Sequence, residues 1–269
     1  MPEFVFSCYK PLSVSGNYHA PGFPHSNLLS PQPKVVFRVP IADQWVTGVT
    51  FDMGWDWSMD TFALLFHNAS PDLSWSVEVR TDAEGPNPNQ IDTSDMAAPF
   101  QPATPVYPTA TSLWTRRHSV LLLPQIVYGR YVRFILYAST AADADFSVGL
   151  MTFGQRIQPE FGRDWGAGRR IVDQSTRITG RGGEQHLWRG ARVPSVRWSW
   201  SHLSDAEMLR VWALMADAGE SQPIVYVEDS SPTPGLHERI HYGLLTGLDY
   251  YERAQTEKSQ ISLKLDEWL

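Results

Sequence analysis

Short runs of alternating or continuous apolar residues recur between Lys34 and Gly154 at the spacing typical of β-strands. Seven such runs can be read from the sequence: KVVFRV, WVTGVTFDM, TFALLFHN, WSVEVRT, SVLLLP, RYVRFILYA and FSVGLMTFG. None of them shows a helical period. The pattern therefore predicts an antiparallel β-sandwich over residues 31–158.

The segments around these runs have a different composition. Residues 1–30 are proline-rich and weakly periodic, which predicts an extended N-terminal arm with at most a short strand in FVFSCY. Residues 82–111 are rich in Pro, Ala and Asn, which predicts an irregular surface excursion between two strands.

The stretch DTFALLFHNASPDLSWSVEVRTD, residues 60–82, contains two apolar runs joined by a polar turn. It predicts two consecutive core strands of a hairpin, with His67 in the connecting turn. Asn, Ser, Pro and Asp are expected in that turn because of their backbone preferences, without any role in ligand binding. A sugar contact by His67 is the alternative hypothesis.

Residues 156–197 carry nine arginines and four acidic residues, and seven glycines lie between 162 and 190. This composition predicts a basic, glycine-rich loop or two-stranded arm over about 160–192. The candidate interface residues of this segment are Arg163, Arg169, Arg170, Arg177, Arg181, Arg189 and Arg192.

A helix is predicted over about 205–218. Ser204 and Glu207 have the spacing of a capping box, apolar residues follow at helical intervals, and Gly219 is a natural C-terminal stop. Strand-like segments precede and follow the helix. They predict a second, α+β domain over residues 159–269.

Composition excludes several classes of protein. Apolar residues make up 42% and charged residues 19%, which indicates a globular chain. The net charge of −7 disfavours nucleic-acid binding through a basic face. Cys8 is the single cysteine, so no disulfide within the chain and no cysteine-based metal site is expected. We expect no secretion signal and no membrane insertion, because no long apolar run is present.

One stretch matches the sequence motif of zinc proteases. His237 to His241 reads H-E-x-x-H, which binds zinc when both histidines share one helical turn. Here the residues that follow favour a strand, in which the two histidines would lie roughly 13 Å apart. We therefore expect no metal, no cofactor, no catalytic residue and no enzymatic activity.

The stretch DMGWDWSMD allows two interpretations. Asp52, Asp56 and Asp60 recur every four residues around two tryptophans, a combination that suits a calcium or sugar site. A polar turn between strands, with the tryptophans against the core, is the favoured interpretation. The candidate sugar-binding residues are Trp55, Asp56, Trp57 and His67.

Two parts of the chain resemble proteins of long-tailed bacteriophages. SNLLSPQPKVVFRV, DTFALLFHNASPDLSWSVEVRT and GRYVRFILYASTAADADFSVGLMTFG resemble the galactose-binding-like, discoidin-type β-sandwich of phage tail-tip proteins. The C-terminal part is similar to the tail-tube-like domain of distal tail and baseplate proteins. It combines a basic hairpin, the helix that begins at SDAEM, PIVYVED, a YGLL strand and SLKLDEWL. The order of the two domains is the reverse of that in distal tail proteins.

The resemblance implies a structural protein of the virion, made in the cytoplasm of the host bacterium. Such proteins form a ring, usually sixfold, that connects the tail tube to the tip or baseplate. The implied partners are further copies of the chain, the tail tube protein and other tip proteins, with DNA only as passing cargo. The arginine-rich arm and Trp212 would lie in the interfaces. The alternative is a carbohydrate-binding module that binds host-surface glycans during adsorption.

Overall fold

The computed structural model describes residues 3–16, 18–40, 46–69, 74–81, 91–92, 118–137, 145–180, 182–231, 236–248, 250–255 and 258–268. It is mainly antiparallel β, and its described part contains one α-helix, which confirms the predicted fold class. The chain divides into two compact units. Unit 1 comprises Met1–Arg156 and Tyr226–Ile240, and unit 2 comprises Ile157–Val225 and His241–Leu269.

Unit 1 contains a short 3₁₀ helix, His25–Leu29, and two antiparallel sheets that share one apolar core. Its strands are β1 (Phe4–Ser7), β2 (Ser13–Gly16), β3 (Phe37–Pro40), β4 (Val46–Leu65), β5 (Ser74–Arg80), β6 (Ile91–Asp92), β7 (His118–Tyr137), β8 (Asp145–Val148) and β9 (Leu150–Gly154). The larger sheet has the order β2-β4-β7-β5-β6, with β9 also paired to β4, and the smaller sheet is β3-β8.

The core between these sheets is aromatic. The ring of Phe134 on β7 lies 5.8–6.3 Å from those of Phe51, Phe62, Trp75 and Phe153, and all five side chains are buried. Phe146 and Val148 of the smaller sheet belong to the same cluster. Burial of these large rings is the main favourable contribution to the folding of unit 1.

The residues predicted as an N-terminal arm belong to this unit. Phe4, Val5 and Phe6 of β1 are fully buried, and Val14 of β2 pairs with Phe51. The domain boundaries that the sequence predicts, 31–158 and 159–269, remain a prediction.

Two predicted connections are wrong. The described residues of the runs WVTGVTFDM and TFALLFHN belong to one continuous strand, β4, up to Leu65, so DMGWDWSMD is strand rather than turn. In addition, β4 and β5 are not hairpin neighbours, because β7 lies between them in the sheet. The turn residues 70–73 lie outside the described residues.

Unit 2 combines a sheet with one helix. Its elements are β10 (Gly168–Asp173), β11 (Thr176–Thr179), β12 (Gln185–Trp188), β13 (Arg192–Leu203), α1 (Asp205–Ala218), β15 (Ile240–Leu245), β16 (Glu252–Gln255) and β17 (Lys258–Glu267). The sheet order is β15-β17-β13-β10, and β16 also pairs with β17. Strand β14 (Pro223–Val227) crosses from unit 2 into unit 1, and the 3₁₀ helix Leu236–Arg239 lies in unit 1.

Helix α1 has the predicted bounds and the predicted cap. The backbone N–H of Glu207 donates to Ser204 Oγ at 3.4 Å, and the backbone N–H of Ser204 donates to the Glu207 carboxylate at 2.8 Å. Met208, Val211, Leu214 and Met215 face the interior. The residues Leu209 and Trp212, which also fit the predicted apolar stripe, are exposed instead.

A long two-stranded ribbon extends from the sheet of unit 2. β10 pairs with β13 up to Asp173 and Arg192, and β11 then pairs with β12 on the same two chain segments. Every residue of β11 and β12 is exposed. We call residues 173–192 the arm.

Candidate functional site

An irregularity in the β4–β7 pairing shapes one surface of unit 1. Asp52 pairs with Tyr131 and Trp57 pairs with Gly129, so four residues of β4 lie opposite Arg130 alone. Gly54 within this bulge has φ +82°, in the left-handed region that favours glycine. β-bulges of this kind redirect side chains and often lie at functional sites.

The bulge presents Trp55 to solvent. Its side chain is 65% exposed, and its ring stacks on Trp57 with centroids 5.8 Å apart at an interplanar angle of 28°. Trp57 is half-buried and lies 4.6 Å from the ring of Tyr9, whose hydroxyl donates to the backbone carbonyl of Ser58 at 2.9 Å. The exposed indole is therefore supported from behind by a packed ring.

Charged groups beside the tryptophans are held in place. Arg130 donates from Nε and a terminal nitrogen to the two carboxylate oxygens of Asp52, at 2.7 and 2.8 Å. Asp52 also accepts from the backbone N–H of Gly54 at 2.7 Å. The hydrogen bond from Arg130 lowers the pKa of Asp52 further than burial raises it. Asp56 is exposed, with Arg130 as a neighbouring charge.

The three aspartates do not converge on one cation. Asp52 binds Arg130, whereas Asp60 is buried and accepts from the backbone N–H of Arg156 at 2.9 Å. Within the described ranges, no three His, Cys, Asp or Glu side chains are grouped closely enough to hold a metal ion. The H-E-x-x-H residues begin in a 3₁₀ turn and end in β15, not in an α-helix.

His67 is not part of the tryptophan surface. Its side chain is 4% exposed, Nδ1 accepts from the backbone N–H of Ala69 at 3.2 Å, and Nε2 lies 2.9 Å from Ser119 Oγ. A buried ring with both nitrogens in hydrogen bonds stabilises the fold of unit 1. We therefore remove His67 from the candidate site.

The predicted interface residues lie at several places in unit 2. Arg169 and Arg170 lie on β10, and Arg177, Arg189 and Arg192 lie on the arm. All five side chains are exposed. Arg163 is exposed and precedes the ribbon, and Arg181 lies outside the described residues. Trp212 lies on α1, half-exposed, with its ring against Tyr251 at 5.8 Å.

Unit 2 also contains a cleft that the sequence pattern did not predict. It has a volume of about 560 Å³ and is lined by Asp164, Trp165, Ser199, Ser201, Tyr250, Glu252, Gln260, Ile261 and Ser262. Its aromatic residues lie within the glycine-containing segments DWGAG and TGLDYY. Glycine in such a segment indicates a loop, so these segments indicate aromatic side chains on loops.

No helix in the described part of the chain is long and apolar enough to cross a membrane. Neither the protein-family models nor the curated proteins contain a match to this chain.

Several solved structures are similar to it. The family 32 CBM of Clostridium perfringens NanJ, in complex with galactose, is 4% identical with a TM-score of 0.39, over 55% of this chain and 98% of that chain. Chitosan-binding module 1 from the chitosanase/glucanase of Paenibacillus sp. IK-5 is 12% identical with a TM-score of 0.39, over 55% and 98%. A chain in the structure of reduced XRCC1 bound to the DNA pol beta catalytic domain is 13% identical with a TM-score of 0.37, over 54% and 97%. Such scores carry no functional argument, so the proposals below rest on the residues of this chain.

Proposed function

We propose that unit 1 binds carbohydrate at the surface formed by Trp55, Asp56 and Trp57. The observation that carries this proposal is the exposed Trp55 ring stacked on Trp57. An indole exposed to this extent on a folded domain has a free apolar face. The C–H face of a pyranose ring is flat and apolar, so it can cover that indole while its hydroxyls stay hydrated.

The neighbouring polar groups suit sugar hydroxyls. Asp56 is an exposed carboxylate, whose oxygens accept hydrogen bonds. Arg130 and Asp52 hold each other by two short hydrogen bonds, which leaves further donors of the guanidinium free to face a ligand. Together they supply both acceptors and donors at the edge of an apolar platform.

A glycan titration tests this proposal. Purified protein is screened against bacterial cell-surface glycans, and hits are measured by calorimetry and by quenching of tryptophan fluorescence. We expect the Trp55→Ala variant to lose binding by about tenfold or more, as loss of a central aromatic contact does. Trp212→Ala removes an exposed tryptophan from unit 2 and is the matched control, with binding unchanged. Equal binding by wild type and Trp55→Ala would overturn the proposal.

A second candidate function is structural assembly in a phage tail tip. The observation that favours it is the arm, whose strands expose Ile178, Leu187 and Trp188 together with arginines. A group of large apolar side chains exposed on one element is typical of a surface that contacts a partner. In this role six copies of the chain form a ring. The ring joins the tail tube protein to other tip proteins within the virion.

Electron microscopy of the purified protein with tail tube protein tests the second candidate. The expected result is rings seated on the ends of tubes. Tubes without an attached ring at saturating protein would rule it out, and that result leaves the glycan titration unaffected.

A further inference from the structure

The cleft of unit 2 has aromatic walls. Trp165 is fully exposed and Tyr250 is 93% exposed, although both line the cleft. Large exposed rings around a concave surface are typical of binding sites, because they have apolar area that only a ligand or partner can cover.

The polar groups of the cleft are acidic. Asp164 accepts a hydrogen bond from the Ser201 hydroxyl, and Glu252 accepts from the Gln260 amide at 2.7 Å. A carboxylate has about four acceptor positions. Each carboxylate can therefore accept further hydrogen bonds. Among the described residues that line the cleft, none is a lysine or an arginine. A cleft lined by two carboxylates and two aromatic rings favours a cation, above all a guanidinium.

The arm of unit 2 carries guanidinium groups next to apolar side chains, which suits the carboxylates and aromatic rings of the cleft. Arg177 lies directly opposite Leu187 in the hairpin, so an arginine and an apolar side chain share one face. Arg189 follows Trp188, whose side chain is 69% exposed. An arginine flanked by apolar groups fits a cleft that combines carboxylates and aromatic rings.

The arm and the cleft of one chain lie at different positions along β13. β12 belongs to the arm, and β13 follows it along the chain and supplies Ser199 and Ser201 to the cleft. Within β13, Arg192 at the base of the arm and Ser201 in the cleft are separated by roughly 30 Å, at about 3.3 Å per residue. The arm and the cleft therefore lie towards opposite ends of one β-segment.

We propose that the arm of one copy docks into the cleft of a second copy, with Arg177 and Arg189 bound by Asp164, Glu252, Trp165 and Tyr250. The two surfaces of this contact are different, so each copy has one of each. Contacts of this type build closed rings when the rotation between copies closes, and open filaments when it does not. This proposal deepens the assembly candidate and does not depend on glycan binding.

Mixing two deficient variants tests the proposal. The arm variant carries Arg177→Ala and Arg189→Ala, and the cleft variant carries Trp165→Ala and Tyr250→Ala. Light scattering after size exclusion should show that the wild type self-associates and that each variant alone is monomeric. The mixture should form complexes of two copies and no more, because only one intact arm and one intact cleft can meet.

Several controls accompany the mixture. Unfolding curves check that each variant is folded, which is expected since all four side chains are exposed. Arg210→Ala removes an exposed arginine from α1 and should leave self-association unchanged. A chain with Arg177→Glu, Arg189→Glu, Asp164→Arg and Glu252→Arg should recover self-association, since both charges are reversed together.

Three outcomes would overturn the proposal. They are a wild type that stays monomeric up to millimolar concentration, variants that self-associate like the wild type, and a mixture that stays monomeric. A glycan that quenches Trp165 in a monomeric wild type would show that the cleft holds a sugar instead. Trp55→Ala in the same assay separates the two proposals, because it should impair glycan binding and leave self-association intact.

Discussion

The two long antiparallel ribbons of this protein have opposite surroundings. In unit 1, β4 and β7 pair over most of their length, and the side chains of one face lie in the aromatic core. In unit 2, β11 and β12 pair without any register shift, yet both of their faces are exposed. Regular pairing alone therefore does not show what a ribbon is for. A ribbon buried in its own unit stabilises the fold, and a ribbon exposed on both faces is available for contact.

The largest expected difference between the ribbons is in stability. Phe134→Ala on β7 removes a fully buried ring that contacts four other aromatic rings, and should lower the free energy of unfolding by about 3–5 kcal/mol. Trp188→Ala on the arm should change it by less than about 0.5 kcal/mol. Urea unfolding followed by circular dichroism measures both. A large loss for Trp188→Ala would contradict the comparison.

Two glycines with nearly equal φ angles sharpen the same contrast. Gly54 in the β4 bulge has φ +82° and Gly183 at the tip of the arm has φ +83°. Alanine at either position is strained by about 1–2 kcal/mol, because Cβ at positive φ comes too close to backbone atoms. Gly54→Ala should lower global stability by that amount. Gly183→Ala should leave global unfolding unchanged because the strain stays in the exposed arm, and equal losses would show that the arm unfolds together with unit 2.

The cap of α1 gives a smaller effect with a pH dependence. Burial raises the pKa of Glu207, but hydrogen bonds from Ser204 and from the backbone of Glu160 outweigh it and hold the pKa below its ordinary value. The stabilisation is therefore complete above the unfolded-state pKa and is lost as the pH falls through the folded-state pKa. Ser204→Ala should cost about 1 kcal/mol at neutral pH.

Unfolding of wild type and Glu207→Gln, measured between about pH 6 and pH 3, checks the sign. The stability of the wild type should fall more steeply towards low pH than that of Glu207→Gln. Parallel curves for the two proteins would show that the carboxylate of Glu207 does not stabilise the helix.

The smallest effect concerns the pair of Asp52 and Arg130 at the tryptophan surface. Asp52→Asn should lower stability by less than about 1 kcal/mol, since both side chains are partly exposed to water. The same variant should weaken glycan binding at Trp55, because Arg130 loses the partner that holds it. Glu78→Gln, which removes a carboxylate beside Arg80 elsewhere in unit 1, is the control for a general charge effect.

Features set by neighbouring residues could be predicted from the sequence. The helix from Asp205 to Ala218 follows from a cap and a stop signal that lie within a few residues of its ends. The strands of unit 1 follow from their own alternation. In each case the physical cause is local.

Features set by distant partners could not be predicted. Gly54 and the surrounding aspartates indicate a turn, and only pairing with Arg130 and its neighbours shows a bulge within a strand. His67 occupies a polar segment, and its burial depends on Ser119, far away in the sequence. The cleft combines residues from four separate segments, around Trp165, Ser199, Tyr250 and Ile261, so no short motif describes it.

The bulge in β4 has a consequence for variation. Four residues, Met53 to Asp56, face a single residue of β7, so changes at the exposed positions 55 and 56 do not alter the pairing on either side. Ligand choice at this surface can therefore be altered independently of folding. A display library randomised at Trp55 and Asp56, with Gly54 kept, should yield folded domains with new ligand preferences.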